Sequence, residues 1–192
     1  MLTESLTDWV SPSEPRLATT YEGRDPILLE TVVPLVDYIE VVPDTIAKSI
    51  GDARQLSADT LSQLQELPDR VSIIAHGVGL SIGSYDGYSS DYLLLLDQLL
   101  SSVDLAWHSE HLGYTIVGGI NLGTMLPLPR THEAMEIVSQ RIINIKQRYG
   151  LPFLLENVAH VLPTPGDDYS PAGFLNTLVE CTGCNLLLDI YN

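Results

Sequence analysis

The sequence predicts an α/β fold whose parallel strands curl into a barrel. Three observations carry this reading. Short apolar runs alternate with longer segments of helical spacing along most of the chain, the order that gives parallel strands joined by right-handed crossovers. Polar residues end nearly every strand, where barrels of this kind place their chemistry. No glycine-rich dinucleotide fingerprint follows the first strand, which disfavours a smaller, open, doubly wound sheet.

Residues 1–24 are rich in Ser, Thr, Glu and Pro and lack periodicity, so they read as a tail or a weak first strand near residues 16–20. Residues 25–192 read as the barrel domain. Pro26 suits a helix start, and Ile27, Leu28, Val32 and Leu35 recur at near-helical spacing. Tyr38–Val42 is a short strand containing Glu40 and ended by Pro43. A helix over Ala58–Glu66 stops at Pro68. Val71–His76 is a clear strand, and Gly77, Val78 and Gly79 turn away from it. Ser89–Leu100 is an apolar helix with four successive leucines.

Leu105–His108 is the next strand and runs into Ser109, Glu110 and His111. Gly113–Gly123 is a glycine-rich excursion, and Leu126–Pro129 a rigid connector. Thr131 and Glu133 start a long helix that reaches Tyr149, with Gly150 and Pro152 stopping it. Phe153–Asn157 is a compact buried strand ending in two polar residues. A loop marked by Pro163, Pro165 and Gly166 follows, then a helix over Pro171–Glu180 and a strand over Asn185–Asp189. About six βα units result, whereas a closed eight-stranded barrel typically takes about 250 residues. The expectation is an incomplete barrel with two unpaired edges open to association.

A net charge of −16 with nine scattered Lys and Arg argues against a nucleic-acid-binding surface, which needs clustered cations. No apolar run is long enough to cross a membrane. Met1–Trp9 carries two acidic residues and no basic one, unlike a signal peptide, so a cytoplasmic location is expected. Cys181 and Cys184 form a Cys-Thr-Gly-Cys motif that admits a redox or half-zinc reading. Its place before a strand favours the plainer one, with Gly183 as a helix stop and Cys184 as a small buried side chain.

Four strand ends carry candidate ligands: His76; Glu110 and His111, with His108 nearby; Glu156 and Asn157; and Asp189 with Asn192. Imidazole with carboxylate suits iron, manganese or zinc. A buried carboxylate at Glu156 demands a partner, because leaving it unpaired costs several kcal/mol. On these residues alone a metal hydrolase, a metal isomerase and an iron oxidase stay open.

The strings His76-Gly-Val-Gly-Leu-Ser81, Ser109-Glu-His-Leu112, Leu126-Pro-Leu-Pro129, Leu154-Leu-Glu-Asn-Val158 and Thr182-Gly-Cys-Asn-Leu-Leu-Leu-Asp189 narrow the choice. In order and spacing, over about Tyr38 to Asn192, the chain resembles the multinuclear non-heme iron-dependent oxidative enzymes, which include the iron enzyme of methanobactin biosynthesis. The resemblance implies a barrel of the xylose-isomerase-like type with two or three iron ions at its C-terminal rim. It implies dioxygen-dependent modification of residues, often Cys, in ribosomally made precursor peptides, with a partner protein commonly presenting the peptide. By motif match, His76, His111, Glu156, Asp189 and Asn192 fall on metal ligands. Glu156 would be the central catalytic group, bridging two ions. Glu110 is expected to orient His111 by accepting its other N–H, and Asn157 to support the site; His108 and His132 are expected to be structural.

Three features depart from the family pattern. No glycine-rich first strand with a following Arg is recognisable before Asp25, Tyr191 stands where Asn is usual, and about two further strands with their His, Asp and Glu ligands are not in the sequence. A piece of a longer chain is therefore expected. The alternatives are a xylose-isomerase-like isomerase or endonuclease using another divalent metal, and a non-catalytic barrel fragment that binds a partner through its edges.

Overall fold

A computed structural model describes residues 15–51, 53–159 and 166–192. Most of the tail expected over residues 1–24, and Pro163 and Pro165 of the expected loop, lie outside the described residues. Six strands form one parallel sheet: β1 (Ala18–Thr20), β2 (Tyr38–Val41), β5 (Ser72–Gly77), β6 (Leu105–His111), β9 (Phe153–Glu156) and β10 (Asn185–Leu187). Their spatial order follows their chain order without reversal. A doubly wound sheet reverses direction at a switch point, so this progression is that of an incomplete (β/α)8 barrel. The weak first strand is present as β1, paired with β2.

Two antiparallel hairpins interrupt the βα rhythm. The first joins β3 (Ala47–Ile50) to β4 (Ala53–Leu56) and follows the single turn α2 (Pro43–Ile46). The second pairs β7 (Gly113–Val117) with β8 (Ile120–Pro127). The expected glycine-rich excursion and rigid connector are thus largely one hairpin. Gly118 and Gly119 both have positive φ at its tip, the conformation that a tight two-residue hairpin turn requires.

The remaining helices are α1 (Pro26–Val32), α3 (Ala58–Gln65), α4 (Ser90–Leu100), α5 (His132–Tyr149) and α6 (Pro171–Thr182). Local chemistry sets the ends of the long ones. The Thr131 hydroxyl accepts from Ala134 N–H to start α5, and Gly150 in the left-handed region ends it. Ser170 caps α6 in the same way, and Gly183 stops it as expected, two residues later than Glu180.

Alternation along the strands sorts side chains onto two faces. Ile39, Val41, Ile73, Ala75, Leu105, Phe153 and Leu155 are buried in one core with Leu95, Leu96 and Leu99 of α4 and Val138 and Ile142 of α5. Glu40, Ile74, His76, Ser109, His111 and Glu156 occupy the barrel-interior face, following the strand register. An irregularity between Leu105 and His108 inserts one extra residue into β6. It puts Leu105 on the helix side while leaving His111 on the interior side.

Candidate metal centre

His111 and Glu156 are register partners across β6 and β9, and His76 enters from β5 beside Ser109. These three side chains converge at the C-terminal ends of their strands. His76 Nε2 lies 3.1 Å and His111 Nε2 3.3 Å from the same Glu156 Oε2. The two imidazole centroids are 4.6 Å apart. One ligand atom from each of the three residues falls within 4.8 Å of the others.

The outer nitrogens are held in place. His111 Nδ1 is 3.0 Å from the Gly77 carbonyl, which can only accept, so Nδ1 carries the proton. His76 Nδ1 is 2.9 Å from Ser109 Oγ, and that hydroxyl donates to the Ala75 carbonyl, leaving its lone pair for the imidazole. Both Nε2 lone pairs therefore face the carboxylate. Two lone pairs and an anion repel one another unless a proton or a cation lies between them.

The electrostatics agree. Burial alone pushes the His76 imidazolium down. The hydrogen bond to Glu156 and the charges of Glu40, Glu156 and Glu110 outweigh it and raise His76 above its ordinary value. Burial pushes Glu156 up, but the His76 hydrogen bond and the positive potential of His111 and His76 bring it below the usual carboxylate range. The donor chemistry fits a divalent metal: two imidazoles with fixed outer nitrogens and one carboxylate.

The other expected site residues are placed differently. Asn157 exchanges two hydrogen bonds with the Asp189 backbone, at 3.0 and 2.9 Å, and its carbonyl accepts from Asn192 Nδ2 at 2.8 Å. Asp189 Oδ1 accepts from Tyr191 N–H. Asp189 and Asn192 are thus tied to Asn157, beside Glu156, and the carboxylate of Asp189 is not one of the three clustered ligand groups. The strand expected over Asn185–Asp189 ends at Leu187, so Asp189 lies just beyond it, before the turn at Ile190 and Tyr191.

Glu110 does not accept the other N–H of His111 directly, as the sequence reading expects. Its Oε1 is 2.9 Å from His108 Nε2, on the opposite face of β6 from His111, and the Gly77 carbonyl takes the role expected of it. Adjacent residues on a strand point to opposite faces, which forbids the expected bond. His108 is fully enclosed with Glu110, whereas His132 Nδ1 meets the Tyr169 hydroxyl at 2.8 Å and ties the start of α5 to the segment just before α6.

Three contributors escaped the sequence reading: Ser109, the Gly77 carbonyl and Glu40, which accepts from the Thr20 hydroxyl at 2.7 Å. An acidic residue at an alternate position of a short strand was the available signal for Glu40. Ser109 and Gly77 stand in the quoted strings, but nothing in those letters gives either one a role toward an imidazole.

Comparison with known proteins places the chain. The family model described as "RiPP precursor modification enzyme MbnB/TglH/ChrH" matches residues 24–192. A UPF0276 protein of Caulobacter vibrioides (strain NA1000 / CB15N) is 37% identical over 189 residues, 85% of this chain and 56% of the relative. A UPF0276 protein of Haemophilus influenzae is 36% identical over 87 residues, 45% of this chain and 28% of the relative. The chain spans about half the length of the first of these relatives. Among solved structures, D-psicose 3-epimerase in the presence of D-fructose superposes with a TM-score of 0.49 at 15% identity, covering 91% of this chain and 62% of that one; a likeness this distant has no bearing on activity. The match over residues 24–192 settles the family: the chain belongs to the MbnB/TglH/ChrH family of RiPP precursor modification enzymes.

Proposed function

We propose that this chain belongs to a non-heme iron-dependent oxidase that modifies residues, often Cys, of a ribosomally made precursor peptide. The observation that carries the reading is the convergence of His76 and His111 on one Glu156 oxygen in a chain of this family. His76, His111 and Glu156 would hold the first ion, and Glu156, faced by both imidazoles, is the group best placed to be shared with a second. Asp189 and Asn192, held beside Glu156 through Asn157, are proposed as further ligands. Iron, when bound, supplies one-electron oxidation with dioxygen, a chemistry that side chains lack.

The protein's own part is positional. Ser109 and Gly77 keep both imidazoles in the tautomer whose Nε2 is free to ligate, and the sheet fixes their separation. Burial of Glu156 keeps its charge potent by limiting solvent screening. Among the described residues no helix is long and apolar enough to cross a membrane. A cytoplasmic site of action is part of the proposal. A partner protein that presents the peptide is part of the same proposal.

The test is anaerobic reconstitution with ferrous ion, followed by air and a candidate precursor peptide encoded near this protein's gene. The expected result is bound iron by elemental analysis and a mass change in the peptide that Glu156→Ala abolishes. A colourless protein that takes up zinc but no iron, and leaves the peptide unchanged, overturns the reading.

A further inference from the structure

Directly behind the candidate centre, on the helix side of the sheet, lies a second group of buried polar side chains. His108 and Glu110 are each 1% exposed, and Tyr92 of α4 is 2% exposed. His108 Nε2 stands 2.9 Å from Glu110 Oε1 and 3.1 Å from the Tyr92 hydroxyl. Burial and the neighbouring Glu110 charge push Tyr92 well above its ordinary range. Enclosing a carboxylate this completely is costly, and apolar side chains would fill the same space at less cost.

Gly77 connects this group to the centre. It is the register partner of Glu110 and faces the same side of the sheet. A methyl group built on Gly77 would lie 1.6 Å from Glu110 Oε1 and 2.2 Å from the Tyr92 hydroxyl. Gly77 has no positive φ, so close approach, and not backbone conformation, is what demands glycine here. The carbonyl of the same residue holds His111 Nδ1 at 3.0 Å. The end of β5 therefore rests on the Glu110 and Tyr92 polar groups on one side and orients an imidazole on the other.

We propose that Tyr92, Glu110 and His108 form a positioning cluster that clamps Gly77 and, through its carbonyl, fixes the tautomer and direction of His111. The inference rests on the metal reading for its purpose and, for its mechanism, on close packing against Gly77 and the hydrogen bonds on either side of it. None of the three would touch metal or substrate. Glu110 and Tyr92 act through Gly77, and His108 acts by holding those two. A bed of side chains that merely filled space would leave His111 unchanged when one hydroxyl is removed without change of shape.

The experiment uses the full chain and two variants, Tyr92→Phe and Glu110→Gln, both close to isosteric. Two readouts are taken: the imidazole nitrogen shifts of His111 in metal-free protein by NMR, and ferrous-ion affinity by anaerobic calorimetry. In the parent, His111 is expected in the Nδ1–H form. In either variant the shifts should move toward a mixture of tautomers, and ferrous affinity should fall about tenfold, the range seen when a group supporting a ligand is lost. Unchanged shifts in a folded variant overturn the proposal, as do affinities within about twofold of the parent. If Tyr92→Phe fails to fold, Glu110→Gln decides by the same readouts. A parent that binds no ferrous ion rejects the iron reading, while the metal-free NMR readout still decides this one.

Discussion

His111 and Glu156 stand opposite one another in the β6–β9 ladder, and His111 Nε2 lies 3.3 Å from Glu156 Oε2. Their contact is fixed by strand register and needs no flexible loop. A site built on paired strands keeps its ligand spacing more tightly than one built on loops.

Glu156→Gln should therefore remove the shared anion while keeping the shape of the site. Divalent-metal affinity is expected to fall by more than about 100-fold, beyond the 10–100-fold typical of losing a supporting partner. Elemental analysis after dialysis against ferrous ion, with circular dichroism to confirm the fold, checks the outcome.

Ser109→Ala tests the other imidazole. It removes the acceptor of His76 Nδ1–H in a fully buried position. Metal affinity should drop about tenfold, with a stability loss of about 1 kcal/mol from the lost hydrogen bonds. Calorimetric titration and urea unfolding separate the two effects.

The metal-free protein should be most stable in mildly acidic solution. His76 is raised from its ordinary 6.5, so its contribution is complete below that value and fades as pH climbs through the raised one. Glu156 is lowered from its ordinary 4.5, so its contribution is complete above that value and fades as pH falls through the lowered one. Both are fully present only between these ordinary values. Urea midpoints measured across pH 4 to 8 should rise and then fall for the parent, and Glu156→Gln should flatten the profile.

The two cysteines should differ sharply. Cys181 is exposed, while Cys184 is 1% exposed and its thiol is pushed up by burial, only partly offset by Thr182 and Lys146. A raised thiol is a poor nucleophile at neutral pH because little thiolate is present. Native protein should react with one equivalent of a thiol reagent per chain, and denatured protein with two.

Leu155→Ala probes the strand beneath the centre. Leu155 is fully buried, one residue before Glu156 and on the opposite face. A loss of about 2–5 kcal/mol is expected from the cavity, measured by chemical unfolding. Metal affinity per folded molecule should change far less.

The βα rhythm was legible because the central strands β2, β5 and β9 are short apolar runs bounded by Gly or Pro, and each long helix carries its own cap residues. The β3–β4 hairpin was not: its strands are four residues each, and Ala53, Arg54 and Gln55 are all exposed, so no apolar alternation marks them. The β7–β8 hairpin was half legible. Gly118-Gly119 between Val117 and Ile120 is a turn signal, but β8 is mostly exposed on both faces and reads as loop.

For the centre, sequence alone determined which side chains of metal-ligating type end the strands, because strand ends follow from local composition. It also determined the family resemblance, carried by ordered strings. What the tertiary structure decided is which of these groups meet. His76, His111 and Glu156 converge because register sets their heights, and one extra residue in β6 sets the face on which His111 emerges. The same alternation turned Glu110 away from His111 and into the core with His108 and Tyr92, and left the Gly77 carbonyl to hold the imidazole. A backbone carbonyl has no letter in a sequence, and a register has none either; both exist only once neighbouring strands are paired.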